Sequence, residues 1–301
     1  MTQKAYLHIG PPKTASTSLQ IALQCADLNG IHYAGVWQPR AEFDNTLTDY
    51  FHARRNPDVD TGISKEVAVS NFQNIISSGK SIFISEEMLV VGRSKFQILE
   101  RLENSINFFQ RDVGIPVQIL MTLREPGQAI PSYYQEIFKF LPVSLASDFN
   151  AFCRDERNFC YDYAAISDHV VKCGASVGFL EFDEIASGSL DLQKVLGRIP
   201  EKDLVLKIGR ENTGQKADTA RILPGVSLVQ YYRSSWLFAL RRMVGLKRLP
   251  FGAELKSLFG EFSFRKHEAK ELVVPSDVLQ YYKSSLINAR QVCNSKKGQG
   301  I

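Results

Sequence analysis

Along the first two thirds of the chain, short runs of consecutive apolar residues alternate with stretches in which apolar positions recur every three or four residues. The runs cover residues 4–9, 81–85, 117–123 and 176–181. Each has strand length, and those at 81–85 and 117–123 are the most continuously apolar, the pattern of a strand buried in a parallel sheet. Residues 31–36 offer one further strand, and helical spacing is expected at about 17–25, 67–78, 95–112, 127–140, 162–173 and 190–196. Strands alternating with helices imply an α/β fold, a central parallel sheet covered on both faces. From Lys202 onward the pattern is mostly helical and carries no internal repeat, so the chain reads as a single domain with a core at 1–200 and a helical extension at 201–301.

Composition narrows the classes. With 301 residues, 44% hydrophobic and 23% charged, the chain can bury a sizeable core. A net charge of +4 is too small to argue for nucleic acid, yet it suits an anionic ligand. No apolar run of about 20 residues exists, so neither a signal peptide nor a membrane anchor is expected. Five cysteines, odd in number and in no metal-type pair, set the expectation of a reducing, cytoplasmic location. Five histidines (His8, His32, His52, His169 and His267) are scattered without ligand spacing, so no metal is expected.

The first strand leads into Gly10-Pro11-Pro12-Lys13-Thr14-Ala15-Ser16-Thr17-Ser18-Leu19-Gln20. A strand that turns through Gly and Pro into a hydroxyl-rich helix start builds an anion cradle. Amides at a helix N-terminus point outward, the helix dipole is positive there, and Lys13 adds a full charge. Thr14, Ser16, Thr17 and Ser18 offer hydroxyls to a phosphate or to the first helical amides. Helix capping alone is the competing account of such a turn. The loop is not a Walker A motif, because Pro12 stands where the second glycine belongs.

The strand at 117–123 ends on Arg124-Glu125-Pro126, and Ser132-Tyr133-Tyr134 follows on the next helical stretch. An arginine at the carboxyl end of a strand can present its fork of donors to a phosphate, and Ser132 can add a hydroxyl. Between these elements, the strand at 81–85 delivers Glu86 and Glu87 to the same edge, where open α/β sheets bind ligands. These carboxylates read as a general base, as solvated loop acids, or, for Glu86, as a magnesium ligand.

Together these segments resemble the sulfotransferases that use 3′-phosphoadenosine 5′-phosphosulfate, of the bacterial or carbohydrate type. Pro12-Lys13-Thr14-Ala15-Ser16-Thr17 resembles the family's 5′-phosphosulfate loop, with Ala15 in place of its usual glycine; the change is mild if the position is helical and matters if it needs positive φ. Arg124-x-Pro126 with Ser132 resembles its 3′-phosphate signature, though Gln128 and Pro131 depart from the usual pattern. The resemblance implies a P-loop-like three-layer fold and the cosubstrate 3′-phosphoadenosine 5′-phosphosulfate, released as adenosine 3′,5′-bisphosphate. It further implies Lys13 as the charge on the leaving group and Glu87, with Glu86 as the fallback, as the base. Phe182, before Asp183, stands where the family carries an aromatic near the adenine; an ordinary core aromatic is the other reading. The acceptor that the resemblance implies is a hydroxyl, of the glycan or glycolipid class, and the turn-rich aromatic segment 37–57 is a candidate acceptor-side loop. Two other classes remain open: a P-loop small-molecule kinase needing Mg²⁺, and a nucleotide-binding interaction protein without turnover. The basic aromatic segment 227–248 reads as a solvated helix end, an anionic-surface contact or a lid.

Overall fold

Strand β1 (Ala5–Ile9) lies at the centre of a five-stranded sheet in the computed structural model, which describes residues 2–38, 50, 63–196, 205–209 and 272–297. In chain order it is followed by α1 (Ser16–Cys25), β2 (Ile31–Tyr33), α2 (Lys65–Ser77), β3 (Ser81–Ser85), α3 (Lys95–Asn107), β4 (Val117–Leu123) and α4 (Pro126–Ile137). Then come α5 (Val143–Ala146), α6 (Phe149–Cys153), α7 (Tyr163–Lys172), β5 (Ser176–Glu181), α8 (Phe182–Ser187), β6 (Ser189–Asp191), α9 (Gln193–Leu196), β7 (Val205–Lys207) and α10 (Ser276–Lys297).

The sheet runs β2-β3-β1-β4-β5 with every pair parallel. α1 and the β5-to-β7 segment cover one face, and the right-handed rule for connections between parallel strands assigns α2, α3 and α7 to the other. The first face closes a core of Tyr6, Phe83, Leu120 and Leu180 from the sheet against Leu19 and Leu23 of α1, Ile185 of α8, and Leu190, Leu192 and Leu206. β1 is buried throughout and β4 nearly so, as their unbroken apolar runs require. The expected α/β class, a three-layer arrangement around a parallel sheet, is therefore the observed one.

Several bounds differ for physical reasons. The helix expected through Asp112 widens into a π-type coil at Phe108–Val113, which brings two consecutive aromatics, Phe108 and Phe109, inward against Phe72. The helix expected from Leu190 begins only at Gln193. Leu190 and Leu192 alternate as strand residues do, and β6 pairs antiparallel with β7. Of the extension expected to be helical, α10 and β7 are described; the basic segment 227–248 and most of the candidate acceptor loop 37–57 lie outside the described residues.

By contacts the chain divides into two compact units, residues 1–126, 156–213 and 281–301 forming the first and 127–155 and 214–280 the second. Within the second, Tyr134 packs 4.9 Å from Phe152 and 5.0 Å from Phe149 and donates its hydroxyl to the Ala146 carbonyl at 2.7 Å. Within the first, α10 from Tyr281 onward is fastened to the N-cap of α7. Asp162 accepts from the Ala165 amide, from Ser285 Oγ at 2.7 Å and from the Tyr281 hydroxyl.

Candidate functional site

The connection after β1 leads toward β2, on one side of β1, while that after β4 leads to β5, on the other. The carboxyl edge between β1 and β4 is thus a topological switch point, where an open α/β sheet leaves a crevice. Two of the segments singled out in the sequence meet there. From the end of β4, Arg124 Nη1 donates to the carbonyl oxygen of Lys13 in the loop after β1.

That loop is tightly made. A Cβ on Gly10 would stand 2.5 Å from Ser16 Oγ and 2.7 Å from Thr14 Oγ1, so any side chain there would displace both hydroxyls. Thr14 is buried and donates its hydroxyl to the Pro11 carbonyl at 2.7 Å, closing the turn upon itself. Lys13 and Ala15 both have positive φ, 66° and 61°. Ala15 is the N-cap of α1 in the left-handed region, not a helical residue. Its methyl group therefore sits where a glycine would be free of strain, a cost of about 1 kcal/mol. Lys13 is exposed, Ser16 and Ser18 are buried, and Thr17 is half-buried.

Beneath the loop runs a polar row that the sequence did not announce. His8, fully buried on β1, contacts Ser85 Oγ on β3 at 2.8 Å through Nδ1 and Thr122 Oγ1 on β4 at 2.7 Å through Nε2. Burial lowers its pKa to about 3, so the imidazole is neutral and bridges two hydroxyls. Gln20 of α1 donates to the Ser85 carbonyl at 3.2 Å, tying the helix to the end of β3.

Glu86 and Glu87 follow Ser85 and are both half-buried. The Glu86 amide donates to the His8 carbonyl at 3.0 Å, and its carboxylate caps the short turn Glu87–Leu89 by accepting from the Met88 amide at 2.9 Å. Its charge, after burial, contributes to raising the pKa of Tyr33.

Arg124 is held from three sides. Tyr163 at the start of α7 donates to its carbonyl at 3.0 Å and accepts from its amide at 3.1 Å. The guanidinium carbon lies 4.2 Å from the centroid of the Phe182 ring at the start of α8. Burial lowers its pKa, but a guanidinium remains charged. Its Nε is buried and makes no hydrogen bond to any described residue. The neighbouring carboxylates are matched by α10: Arg290 grips Glu181 with a fork of 2.7 and 2.9 Å, and Lys283 stands 3.4 Å from Glu125. Tyr161 completes the set, donating to the Pro12 carbonyl at 2.9 Å. Ser132, expected with Arg124 in one signature, lies on α4 within the second unit, where the helix runs on through Pro131.

Of the residues singled out in the sequence, the Lys13 loop, Arg124 and Phe182 come together, and Glu86 and Glu87 follow the end of β3; His8, Tyr161 and Tyr163 carry no signal in the sequence. The two tyrosines stand two residues apart before a helix, a spacing that says nothing about which loop they reach.

No family model and no curated protein matches the chain. Among solved structures, it is similar to a chain of the PezAT chromosomal toxin–antitoxin system of Streptococcus pneumoniae, at 11% identity over 60% of this chain and 68% of that one, with a TM-score of 0.33. A likeness that slight carries no argument. No helix among the described residues is long and apolar enough to cross a membrane.

Proposed function

We propose that the chain is a sulfotransferase that moves a sulfuryl group from 3′-phosphoadenosine 5′-phosphosulfate to an acceptor hydroxyl, on a carbohydrate or glycoconjugate. The observation that carries this reading is Arg124: a charged fork with a buried, unpartnered Nε, braced at the switch-point crevice against the lysine loop. An unsatisfied donor on a held guanidinium is matched by a phosphate. The loop at the N-terminus of α1, seated beside it, suits a second phosphate.

In this reading Thr14 and Ala15 offer backbone amides and Ser16, Thr17 and Ser18 the start of α1 to the 5′-phosphosulfate. Arg124 takes the 3′-phosphate, and Phe182, beneath the guanidinium, extends an apolar surface toward the adenine. The acceptor oxygen attacks sulfur in line and gives its proton to Glu87. The bond from sulfur to the bridging oxygen breaks, and Lys13 balances the charge that gathers on that oxygen as adenosine 3′,5′-bisphosphate leaves. Positioning and charge stabilisation supply most of such catalysis, as in phosphoryl transfer. Glu86, which caps the turn, holds Glu87 in place.

The acceptor belongs to the proposal only as a class, because acceptor pockets are built from loops grafted on the fold. Glu87→Gln tests the assignment of the base. It is expected to abolish sulfuryl transfer while leaving bisphosphate affinity within about twofold, since the amide keeps the shape and loses only the proton acceptor. Undiminished transfer removes Glu87 from the role.

A further inference from the structure

The face of the sheet opposite α1 brings together residues that are far apart in the sequence. On α3, Leu99 and Glu103 are four residues apart. On α7, His169 lies on the last turn and Cys173 at the C-cap, also four apart. Each pair therefore shares one side of its helix, and the two sides meet. His169 Nε2 is 3.6 Å from Cys173 Sγ, 4.0 Å from Glu103 Oε2 and 3.2 Å from the Leu99 carbonyl oxygen. Nitrogen, sulfur and carboxylate oxygen all lie within 4.8 Å of one another. Among the described residues this is the one such group of three. Scattered histidines and cysteines had given no reason to expect a metal; the third donor comes from another helix, which spacing along α7 alone does not disclose.

We propose that Glu103, His169 and Cys173 form a binding site for a divalent metal of the zinc type, which pins α3 to α7. The chemistry of the donor set selects the ion. A thiolate, an imidazole and a carboxylate are a borderline-soft set that suits Zn²⁺ and not Mg²⁺ or Ca²⁺, which take oxygen. One thiolate and one carboxylate balance the charge of the ion. Zinc bonds of about 2.0 Å to nitrogen and 2.3 Å to sulfur, at a tetrahedral angle, separate the two ligand atoms by about 3.5 Å. The observed 3.6 Å needs no rearrangement. The half-exposed Glu103 carboxylate closes the remaining distance by rotating about its own side chain. With Nε2 on the metal the ring proton resides on Nδ1, and the Leu99 carbonyl or a water fills the fourth position. The 21% exposure of the His169 side chain leaves an entry path for the ion.

The site is separate from the crevice at the sheet edge. Cys173 is ten residues, about 15 Å, along α7 from Tyr163, the residue that holds Arg124. A bound metal would stiffen the helix whose first residue braces the arginine.

The test uses the untagged full chain, reduced with a phosphine, and needs no activity. Co²⁺ is titrated in first and followed by absorption. The site gives a thiolate-to-cobalt charge-transfer band that saturates at one equivalent and is displaced by Zn²⁺. Cys173→Ser abolishes the band, and His169→Asn weakens binding by more than about tenfold, since even outer-shell partners of a metal cost that much. Cys25→Ser, which removes an exposed thiol elsewhere, leaves the band unchanged. Zn²⁺ raises the melting temperature of the parent chain and not that of Cys173→Ser, and the metal-free melting curves of both variants show that they are folded. Absence of the band in the parent chain, or its persistence in Cys173→Ser, overturns the proposal. Neither outcome bears on nucleotide binding.

Discussion

The guanidinium carbon of Arg124 stands 4.2 Å above the ring of Phe182, so the residue that follows β4 and the first residue of α8 form one stacked unit. The pairing places an aromatic ring beside the guanidinium that the proposed function assigns to a phosphate. Phe182→Ala removes the stack, worth about 1 kcal/mol at a partly desolvated site. Affinity for adenosine 3′,5′-bisphosphate is expected to fall about fivefold in calorimetry, and Phe182→Tyr, which keeps the ring face, is expected to retain it. Equal losses in both would show that the ring matters for packing alone.

Ala15 has a second consequence. At φ 61° its methyl group strains the loop, and glycine relieves the strain at the cost of greater freedom in the unfolded chain. The net gain is about 0.5 kcal/mol, which raises the melting temperature of Ala15→Gly by about 1–2 °C for a domain of this size. A scanning-calorimetry midpoint below that of the parent would contradict the left-handed geometry.

His8 gives the fold a dependence on pH. Its pKa is lowered to about 3 in the folded chain and lies near 6.5 in the unfolded one. Between those values the unfolded state binds a proton that the folded state refuses, so stability is full above about pH 6.5 and falls as the pH drops. The loss reaches about 2 kcal/mol at pH 5. His8→Gln can hydrogen-bond but does not titrate. The difference in urea unfolding free energy between parent and variant should therefore shift by about that amount from pH 7 to pH 5. A constant difference would mean that His8 takes up its proton without unfolding.

Much of this arrangement can be read from the sequence because it rests on local physics. Strands β3, β4 and β5 keep their expected bounds because short stretches rich in Val, Ile, Leu and Phe between turns favour the extended chain. The loop of Lys13 is legible because Gly10, two prolines and four hydroxyls occupy one turn. What escaped depends on long-range contacts. Tyr161 reaches Pro12 across 149 residues of sequence, and His8 joins β3 and β4 through partners 77 and 114 residues away. Asp162 looks like an ordinary helix cap; only the docking of α10 gives it Ser285 and Tyr281 as further partners. The conformation of Ala15 was a choice between helix and left-handed turn that only the loop's closure by Thr14 and Gly10 decides.

The central claim is that the crevice between β1 and β4 binds a nucleotide carrying separate 3′ and 5′ phosphates. Titration calorimetry without magnesium, comparing adenosine 3′,5′-bisphosphate with ADP and ATP on the parent chain, Lys13→Ala and Arg124→Ala, tests it most directly. The account predicts a clear preference for the bisphosphate that is lost in both variants. Binding of ATP in preference, and only once magnesium is added, would contradict it and assign the site to a kinase.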